Sequence, residues 1–350
     1  MKIAIIDELH DIKRSGVYFS TEGLKAMYEK NGIECEIIGI RKRGKLFNLI
    51  ICLPFLRELF IFPVWNLTQK NRLAKEGYDS VFYQCSTALM LIKKTSFKRI
   101  IYTRALLARR LDIYAKLRVT FRIKLIIRVL RPFINFAEKH SFRHADRVVA
   151  SKVRFSTYLQ HQFGINKDKF VVIPQMIDLK VDKRSFVKIY DVLFIGRLSV
   201  PKNWPMIEKL AAISDLKLAA ATPEQSEPKG MPDNVSVFHR VPQHELSKLI
   251  KQSRVFIMPS FNEEGPRVTL EAMYCGLPVV ASIEGSGEFV EPGKNGFVIE
   301  SDNPEEYLNA IKKLLSSKKL YQKMSVANPA KAAEYTPENL GKRYIDAMKF

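Results

Sequence analysis

Short apolar runs alternate with longer amphipathic segments along the first half of the chain. The run Lys2 to Ile6 is followed by a polar loop and then by a helical pattern from Val17 to Asn31. Later apolar runs predict further strands at Glu34 to Ile40, Ser80 to Tyr83, Arg99 to Tyr102, Asp146 to Ala150 and Phe170 to Ile173. Strands separated by helices are typical of parallel βαβ units in a doubly wound α/β sheet.

A second series of strands begins at Asp191 to Ile195. Its later members are predicted near Lys217 to Ala220, Val235 to Phe238, Val255 to Met258, Val279 to Ala281 and Phe297 to Ile299. The 350 residues also exceed the size at which one core stops growing. We therefore predict two Rossmann-like domains, at residues 1–180 and 181–336, joined through Pro174 to Arg184. A C-terminal helix at about 337–350 is expected to pack back on the first domain.

Composition and cysteine usage narrow the class of protein. With 47% hydrophobic and 27% charged residues, the chain has the composition of a folded globular protein. Its cysteines are scattered and form no CxxC pair, which favours a reducing cytoplasm; they are Cys35, Cys52, Cys85 and Cys275. The N-terminus lacks the basic region and cleavage site of a secretory signal, so no export is expected.

Positive charge is concentrated in the first half of the chain. The net charge is +21; residues 1–180 contain 34 Lys and Arg against 15 Asp and Glu, whereas residues 181–350 contain 23 against 21. A basic half suits anionic lipid headgroups, nucleic acid or a phosphorylated acceptor, and charge alone does not choose among them.

The segment Leu46 to Leu67 is long and apolar enough to suggest a membrane span. Arg57 and Glu58 lie in its middle, and we expect Pro54 and Pro63 to interrupt a helix, so a true span is rejected. A basic run, Arg41 to Lys45, precedes the segment. That combination is expected of a segment that lies in a membrane interface.

Ala115 to Phe136 is predicted to form a basic amphipathic helix. It interleaves six Lys and Arg, including Arg118, Arg122 and Lys124, with leucine, isoleucine, valine and phenylalanine. Two interpretations remain open. The helix contacts an anionic membrane surface, or it is a core helix with a solvated cationic face.

The densest motif runs from Pro259 to Ala281. A predicted strand enters a polar loop, which opens a helix near Pro266, and a helix N-terminus attracts anions such as a diphosphate. The spacing of Glu263 and Glu271 places one acid in the loop and the other about a turn and a half inside the helix. Two carboxylates can then address different hydroxyl groups of one ligand.

This motif resembles the retaining group-1, or family-four, glycosyltransferases, including enzymes of bacterial cell-surface polysaccharides. That family has an E-x7-E element followed by E-A-M-x-x-G-x-P-V-V-A, close to the stretch from Glu271 to Ala281. Phe194 to Leu198, followed by Lys202, resembles the family's G-R-L…K signature. The resemblance implies a GT-B fold, in which two Rossmann-like doubly wound domains face each other across a cleft.

The resemblance also implies roles for individual residues. Arg197 and Lys202 would clamp the diphosphate, Glu263 would contact the transferred sugar and Glu271 would bind the ribose hydroxyls. The remaining donor contacts fall on Gly16, Gly196, Val241, Gly265, Pro266, Arg267 and Val268.

The sequence departs from the family at two points. The common Gly-Gly pair after the first strand is replaced by Arg14-Ser15-Gly16. No histidine follows a central strand on the acceptor side, so Arg104 becomes the candidate there. The family needs no bound divalent ion, and His140 and His144, although four residues apart, lie outside any HExxH pattern, so no metal or other cofactor is expected.

The leading hypothesis is therefore a retaining, hexosyltransferase-like enzyme that uses a nucleotide-sugar donor. Its acceptor would be a glycan or a lipid-linked molecule at the cytoplasmic face of the cell membrane, in polysaccharide or glycolipid biosynthesis. Two alternatives are a nucleic-acid-binding protein and a GT-B-like protein that binds sugar without catalysis. No RNP-like, zinc-finger or recognition-helix signature supports nucleic acid.

Overall fold

The computed structural model describes residues 1–7, 16–39, 56–84, 88, 95–103, 106, 111, 121–178, 185–226, 230–263 and 265–349. These residues form two compact units. The first comprises Met1–Gln175 and Leu340–Phe350, and the second comprises Met176–Asn339.

The division falls a few residues before the boundary that we placed after residue 180. Ile177 explains the difference, because its backbone N–H donates to the Tyr335 carbonyl at 3.0 Å and its side chain is buried in the core of the second unit. Residues 176–178 therefore already belong to the second unit.

In its described residues, the first unit has a six-stranded parallel sheet in the order β2-β1-β3-β4-β5-β6. The strands are β1 (Lys2–Asp7), β2 (Glu34–Gly39), β3 (Ser80–Gln84), β4 (Lys98–Thr103), β5 (Arg147–Ala150) and β6 (Phe170–Val172). Ile3 to Ile6 are fully buried on both faces of β1. A parallel sheet covered on both faces requires such runs, which is why the strands read as continuous apolar stretches.

The helices of the first unit are α1 (Gly16–Lys30), α2 (Leu56–Lys75), α3 (Phe121–His144) and α4 (Val153–Phe163). One core cluster contains Leu73 of α2, Ile127 and Ile134 of α3 and Phe155 of α4. These three helices therefore pack on the same face of the sheet. Right-handed connections that move toward the same edge of a sheet place their helices on one face.

Pro63 does not interrupt α2, contrary to the prediction. A proline inside a helix costs about 3 kcal/mol, but the residues around it are held by packing, since Trp65 lies against the core and Leu73 is buried. Within the described ranges, no helix is both long and apolar enough to cross a membrane. The segment 40–55, including the basic run and Pro54, lies outside the described residues.

The chain returns to the first unit at its C-terminus through α11 (Pro337–Asp346). The buried Tyr344 hydroxyl donates to the Pro174 carbonyl at 2.7 Å and lies 3.1 Å from the Tyr102 hydroxyl. Tyr28 of α1 donates to the Tyr344 carbonyl at 3.4 Å. The last helix thus completes the core of the unit that the first residues begin.

The second unit has a six-stranded parallel sheet in the order β12-β11-β10-β7-β8-β9, counted over the residues that the structure describes. The strands are β7 (Tyr190–Ile195), β8 (Leu218–Thr222), β9 (Val235–His239), β10 (Ser253–Met258), β11 (Val279–Ser282) and β12 (Gly296–Ile299). The helices are α5 (Trp204–Ala212), α6 (Gln243–Lys251), α7 (Arg267–Tyr274), α8 (Ile283–Ser286), α9 (Pro304–Ser316) and α10 (Lys318–Ala333). The predicted pair of doubly wound α/β domains is confirmed.

Each sheet reverses its strand order at one place. In the first unit β1 lies between β2 and β3, and in the second unit β7 lies between β8 and β10. Ligands of open α/β sheets bind in the crevice outside the carboxyl ends of the strands at such a reversal. In the second unit we therefore expect a ligand to bind at the residues that follow β7 and β10.

Candidate functional site

Two loops meet at the carboxyl ends of β7 and β10. Gly196 and Arg197 follow β7 and lead into a 3-10 turn, Val200–Lys202, while a loop after Met258 leads to α7. The Phe261 N–H donates to the Pro201 carbonyl at 3.0 Å and joins the two loops. The residues after both strands are thus held beside each other by the backbone itself.

Lys202 and Glu263 form an ion pair across these loops. The Lys202 Nζ donates to the Glu263 Oε1, and the two side chains retain 20% and 11% of their exposure. Opposite charges that are mostly removed from water attract strongly. This attraction offsets part of the free-energy cost of desolvating the two groups. A lysine beside a carboxylate in a partly buried site can exchange that carboxylate for an anionic ligand.

A second ion pair lies on α7. Arg267 and Glu271 are four residues apart, with the Arg267 Nε 2.9 Å from the Glu271 Oε1, and the side chains are 11% and 3% exposed. Pro266 is the N-cap residue and makes no side-chain cap bond, and the first turn contains no acid. The positive end of this helix thus has no side-chain cap from Pro266 and no acid in its first turn, and its predicted role in binding an anion stays a prediction.

Two glycines allow the loops to take this shape. Gly265 has a φ of 146°, which side chains of L-residues rarely adopt. A Cβ on Gly287 would lie 2.7 Å from the Cδ of Pro266, so the glycine-rich turn after β11 can pack directly on the start of α7. Both glycines set where the N-terminus of α7 lies.

Glu224 is a residue of this edge that the sequence reasoning missed. Its Oε2 accepts the Leu198 N–H at 3.2 Å and the Thr222 hydroxyl, and its carbonyl oxygen lies 3.0 Å from the His239 Nδ1. Glu224 thus ties the loop that carries Arg197 to the ends of β8 and β9. The available signal was an acid placed two residues after a buried strand, next to a proline.

The remaining predicted donor residues lie as follows. Arg197 is exposed, and within the described residues no ion pair is found for it. Val241 is half-buried against the core of the second unit, just after Arg240, whose φ is 52°. Gly16 is the first residue of α1, and Arg104 lies outside the described residues. The roles assigned to these side chains stay predictions.

The first unit has a different group at its own strand reversal. The Thr21 hydroxyl donates to Asp7 Oδ2 at 2.6 Å, and the Gln84 amide donates to the Thr21 hydroxyl at 2.5 Å. Asp7 ends β1, Gln84 ends β3, and all three side chains are buried. These buried side chains form a hydrogen-bonded group where β1 and β3 end.

No group of three or more His, Cys, Asp and Glu side chains that could hold a metal is found in the described part of the chain. The rings of His140 and His144 stack with centroids 4.1 Å apart, and the His144 Nδ1 lies 2.7 Å from the His140 carbonyl oxygen. The expectation that no metal or other cofactor is needed stays a prediction.

Comparison with known proteins agrees with this geometry. Residues 180–331 match the family described as glycosyl transferases group 1. A D-inositol 3-phosphate glycosyltransferase of Paenarthrobacter aurescens (strain TC1) is 28% identical over 201 residues, which cover 49% of this chain and 49% of that protein. The chain thus spans about half the length of this curated relative.

Two solved structures resemble the whole chain. Sucrose-phosphate synthase from Thermosynechococcus elongatus superposes with a TM-score of 0.78 at 16% identity, over 99% of this chain and 98% of that one. WaaG, a glycosyltransferase involved in lipopolysaccharide biosynthesis, superposes with a TM-score of 0.70 at 14% identity, over 99% of each chain. The chain therefore has the GT-B fold, and its residues 180–331 are similar to the group 1 glycosyl transferases.

Proposed function

We propose that this chain transfers a sugar from a nucleotide-diphosphate donor to a glycan or lipid-linked acceptor, with retention of the anomeric configuration. The observation that carries the proposal is the meeting of Lys202, Glu263 and the uncapped start of α7 at the β7–β10 reversal. Positive charge at this edge would bind the phosphates of the donor. The carboxylates beside it would accept hydrogen bonds from sugar hydroxyls.

Donor binding would redistribute the two ion pairs. The outer phosphate of the donor takes the place of Glu263 beside Lys202, with the exposed Arg197 as a second cation. Glu263 is then free to accept hydrogen bonds from hydroxyls of the transferred sugar. Glu271, held by Arg267, accepts from the ribose hydroxyls, and the N–H groups at the start of α7 meet the phosphates.

Transfer with retention fits a site that stabilises the departing diphosphate. Negative charge develops on the leaving phosphate oxygen as the sugar bond breaks, and Lys202, Arg197 and the helix N-terminus are aimed at that charge. The departing phosphate can itself accept the acceptor's proton on the same face of the sugar. In this mechanism the protein contributes position and electrostatic stabilisation, and no divalent ion is needed.

The acceptor class follows from the charge of residues 1–180 and from the relatives. A domain with 34 basic against 15 acidic residues suits an acceptor that carries phosphate. The name of the curated relative includes an inositol 3-phosphate, and WaaG acts in lipopolysaccharide biosynthesis. We infer work at the cytoplasmic face of the cell membrane, on cell-surface polysaccharide or glycolipid.

A nucleotide panel tests the donor proposal. UDP, GDP and ADP, each alone and as their sugars, are compared by thermal shift, since a ligand at a hundred times its dissociation constant stabilises by about 2.7 kcal/mol. The stabilising donor is then incubated with phosphorylated and lipid-linked acceptors, and release of nucleoside diphosphate is measured. Proton NMR of the product, recorded before mutarotation, reports the anomer.

We expect one nucleotide to raise the melting temperature and its sugar to release diphosphate with a product of unchanged anomeric configuration. The variant Lys202→Ala combined with Glu271→Ala is the matched negative control. An inverted product would contradict retention. Stabilisation by RNA in place of every nucleotide would favour the nucleic-acid alternative, and donor binding with no transfer would favour a sugar-binding protein.

A further inference from the structure

Helix α3 exposes a stripe of large apolar side chains. Leu125 is 52% exposed, Val129 56%, Phe133 65% and Phe136 64%. At 100° per residue these four positions fall within an arc of about 80° on the helix surface. The His140 ring lies tilted beside the Phe136 ring, with centroids 6.3 Å apart, toward the C-terminal end of α3. We call these four residues the α3 stripe.

The α3 stripe is not the side by which the helix joins the fold. Ile127, Ile134, Ala137 and Phe142 are buried in the core of the first unit, on the opposite side of α3. The helix is therefore fixed by one apolar face and presents a second apolar face outward. A soluble helix with one packing partner needs only the first of these faces.

Charge around the α3 stripe is almost entirely positive. Helix α3 contains six Lys and Arg and one acid, Glu138, which is buried. At 100° per residue, Arg128, Lys139 and Arg143 lie beside or in line with the α3 stripe, and Arg128 and Arg143 are exposed. The interpretation of α3 as a core helix with a solvated cationic face accounts for these cations, but it leaves the α3 stripe unexplained.

Helix α2 adds exposed apolar side chains on the same layer of the unit. Val64 is 58% exposed and Leu67 is 64% exposed. Because α2 and α3 cover the same face of the sheet, their outward sides face the same direction. Large apolar groups thus emerge at two helices of one basic surface.

We propose that the α3 stripe inserts into the interfacial region of an anionic lipid bilayer, with the basic residues of α3 at the headgroups. Helices that combine exposed phenylalanine, leucine and valine with flanking Arg and Lys lie in the plane of a membrane interface. The proposal rests on the proposed membrane-face function and names the element that performs it. Binding then has an apolar part as well as an electrostatic part.

Other occupants fit the surface less well. A second copy placed on the same surface would bring two sets of Arg128 and Arg143 together, and the one acid of α3, Glu138, is buried. A nucleic acid would satisfy the cations, but exposed Leu125 and Val129 would remain in water beside phosphates. An anionic bilayer would bury the α3 stripe in its interfacial region and place its headgroups beside the basic residues of α3.

Vesicle sedimentation of the full chain tests this proposal. Phosphatidylglycerol–phosphatidylcholine vesicles are compared with phosphatidylcholine vesicles at low and high salt. The apolar variant is Phe133→Ser with Phe136→Ser, and the charge variant is Arg128→Gln with Arg143→Gln. The matched control is Val187→Ser with Val326→Ser, which removes two valines of the second unit that are 82% and 77% exposed.

We expect the apolar variant to lower partitioning onto anionic vesicles by about tenfold or more at both salt concentrations, because apolar burial is not screened by salt. The charge variant should lose binding at low salt while the fraction that persists at high salt is unchanged. The valine control should match the unaltered protein. A Phe136→Trp variant should show a blue-shifted emission with anionic vesicles, and Val326→Trp should not.

Several outcomes would overturn the proposal. The unaltered protein fails to sediment with anionic vesicles, or the apolar variant sediments as the unaltered protein does. Conversion of a dimer to a monomer by the apolar variant, without vesicle binding, would assign the α3 stripe to a second copy. Thermal shift by nucleoside diphosphate is recorded on the same samples, so a loss confined to vesicle binding leaves the donor site intact.

Discussion

Both units reverse their strand order once, but they differ in the side chains that lie at the reversal. After β7 and β10 the second unit places Lys202 against Glu263, in loops that its backbone joins. After β1 and β3 the first unit places Asp7 and Gln84, bridged by Thr21 and buried. The positive charge of the first unit is instead carried by helices such as α3.

Under the proposed function, this difference assigns separate tasks to the two units. A donor with two phosphates needs cations at a fixed place, and the strand reversal of the second unit provides them on short, constrained loops. The first unit is expected to meet an acceptor and a surface, so its charge is distributed over a broad area. Substitutions in the two networks should therefore affect different measurements.

The largest effect is expected from Glu263→Ala. Removing the carboxylate that would address the reacting sugar should lower kcat by about 100-fold, in the range seen when one electrostatic contact to a transition state is lost. Nucleoside-diphosphate affinity should not fall, because Lys202 loses its counter-ion and gains freedom to bind phosphate. Steady-state kinetics and calorimetry measure the two quantities.

The exposed Glu306→Ala on α9 is the control for that substitution. Full turnover of Glu263→Ala would remove Glu263 from the reacting centre. A parallel loss of diphosphate affinity would show that the carboxylate supports the site structurally.

A smaller effect, on binding, is expected from Lys202→Ala. A charge-assisted hydrogen bond contributes about 1.5–3 kcal/mol, so affinity for the nucleoside diphosphate should fall by about 10-fold or more. The nucleoside monophosphate, which lacks the outer phosphate, should lose much less. Calorimetric titration of both ligands, with the exposed Lys209→Ala as control, distinguishes a phosphate clamp from a general change of charge. Equal losses for the two ligands would place Lys202 away from the outer phosphate.

The smallest effect is expected in the first unit, from Thr21→Val. The change removes the hydroxyl that bridges Asp7 and Gln84 and should lower the free energy of unfolding by about 1–3 kcal/mol. Nucleoside-diphosphate affinity should stay the same. Thr157→Val on the surface of α4 makes the same chemical change at an exposed position, so it should leave the melting temperature nearly unaltered. Weaker binding of nucleoside diphosphate by Thr21→Val would show that the two networks are energetically coupled.

Much of the second unit could be predicted from its sequence. The types of neighbouring residues predict two local structures. One is the strand followed by Gly196-Arg197, and the other is the polar loop that leads to a helix at Pro266. The four-residue spacing of Arg267 and Glu271 also fixes their pairing once α7 is assigned. The contribution of Glu224 could not be predicted, because its partner Leu198 lies at the end of a different strand.

The first unit was harder to predict because its signals depend on packing. Pro63 is a helix breaker by its own chemistry, yet α2 continues through it, and residues after it pack against the core. The pattern of α3 shows that the helix is apolar and basic, but both apolar faces fit a core equally well by sequence. Only the positions of Ile127 and Ile134 against the sheet show that Phe133 and Phe136 face outward.

The return of the chain to its first unit has a consequence for synthesis. Tyr344, which joins Tyr28, Tyr102 and Pro174, is synthesised after the whole of the second unit. The second unit can therefore bury its core while the first still lacks its closing helix, and contacts of such long sequence separation form late. We therefore expect the unit whose strands are translated first to be the unit that completes its core last.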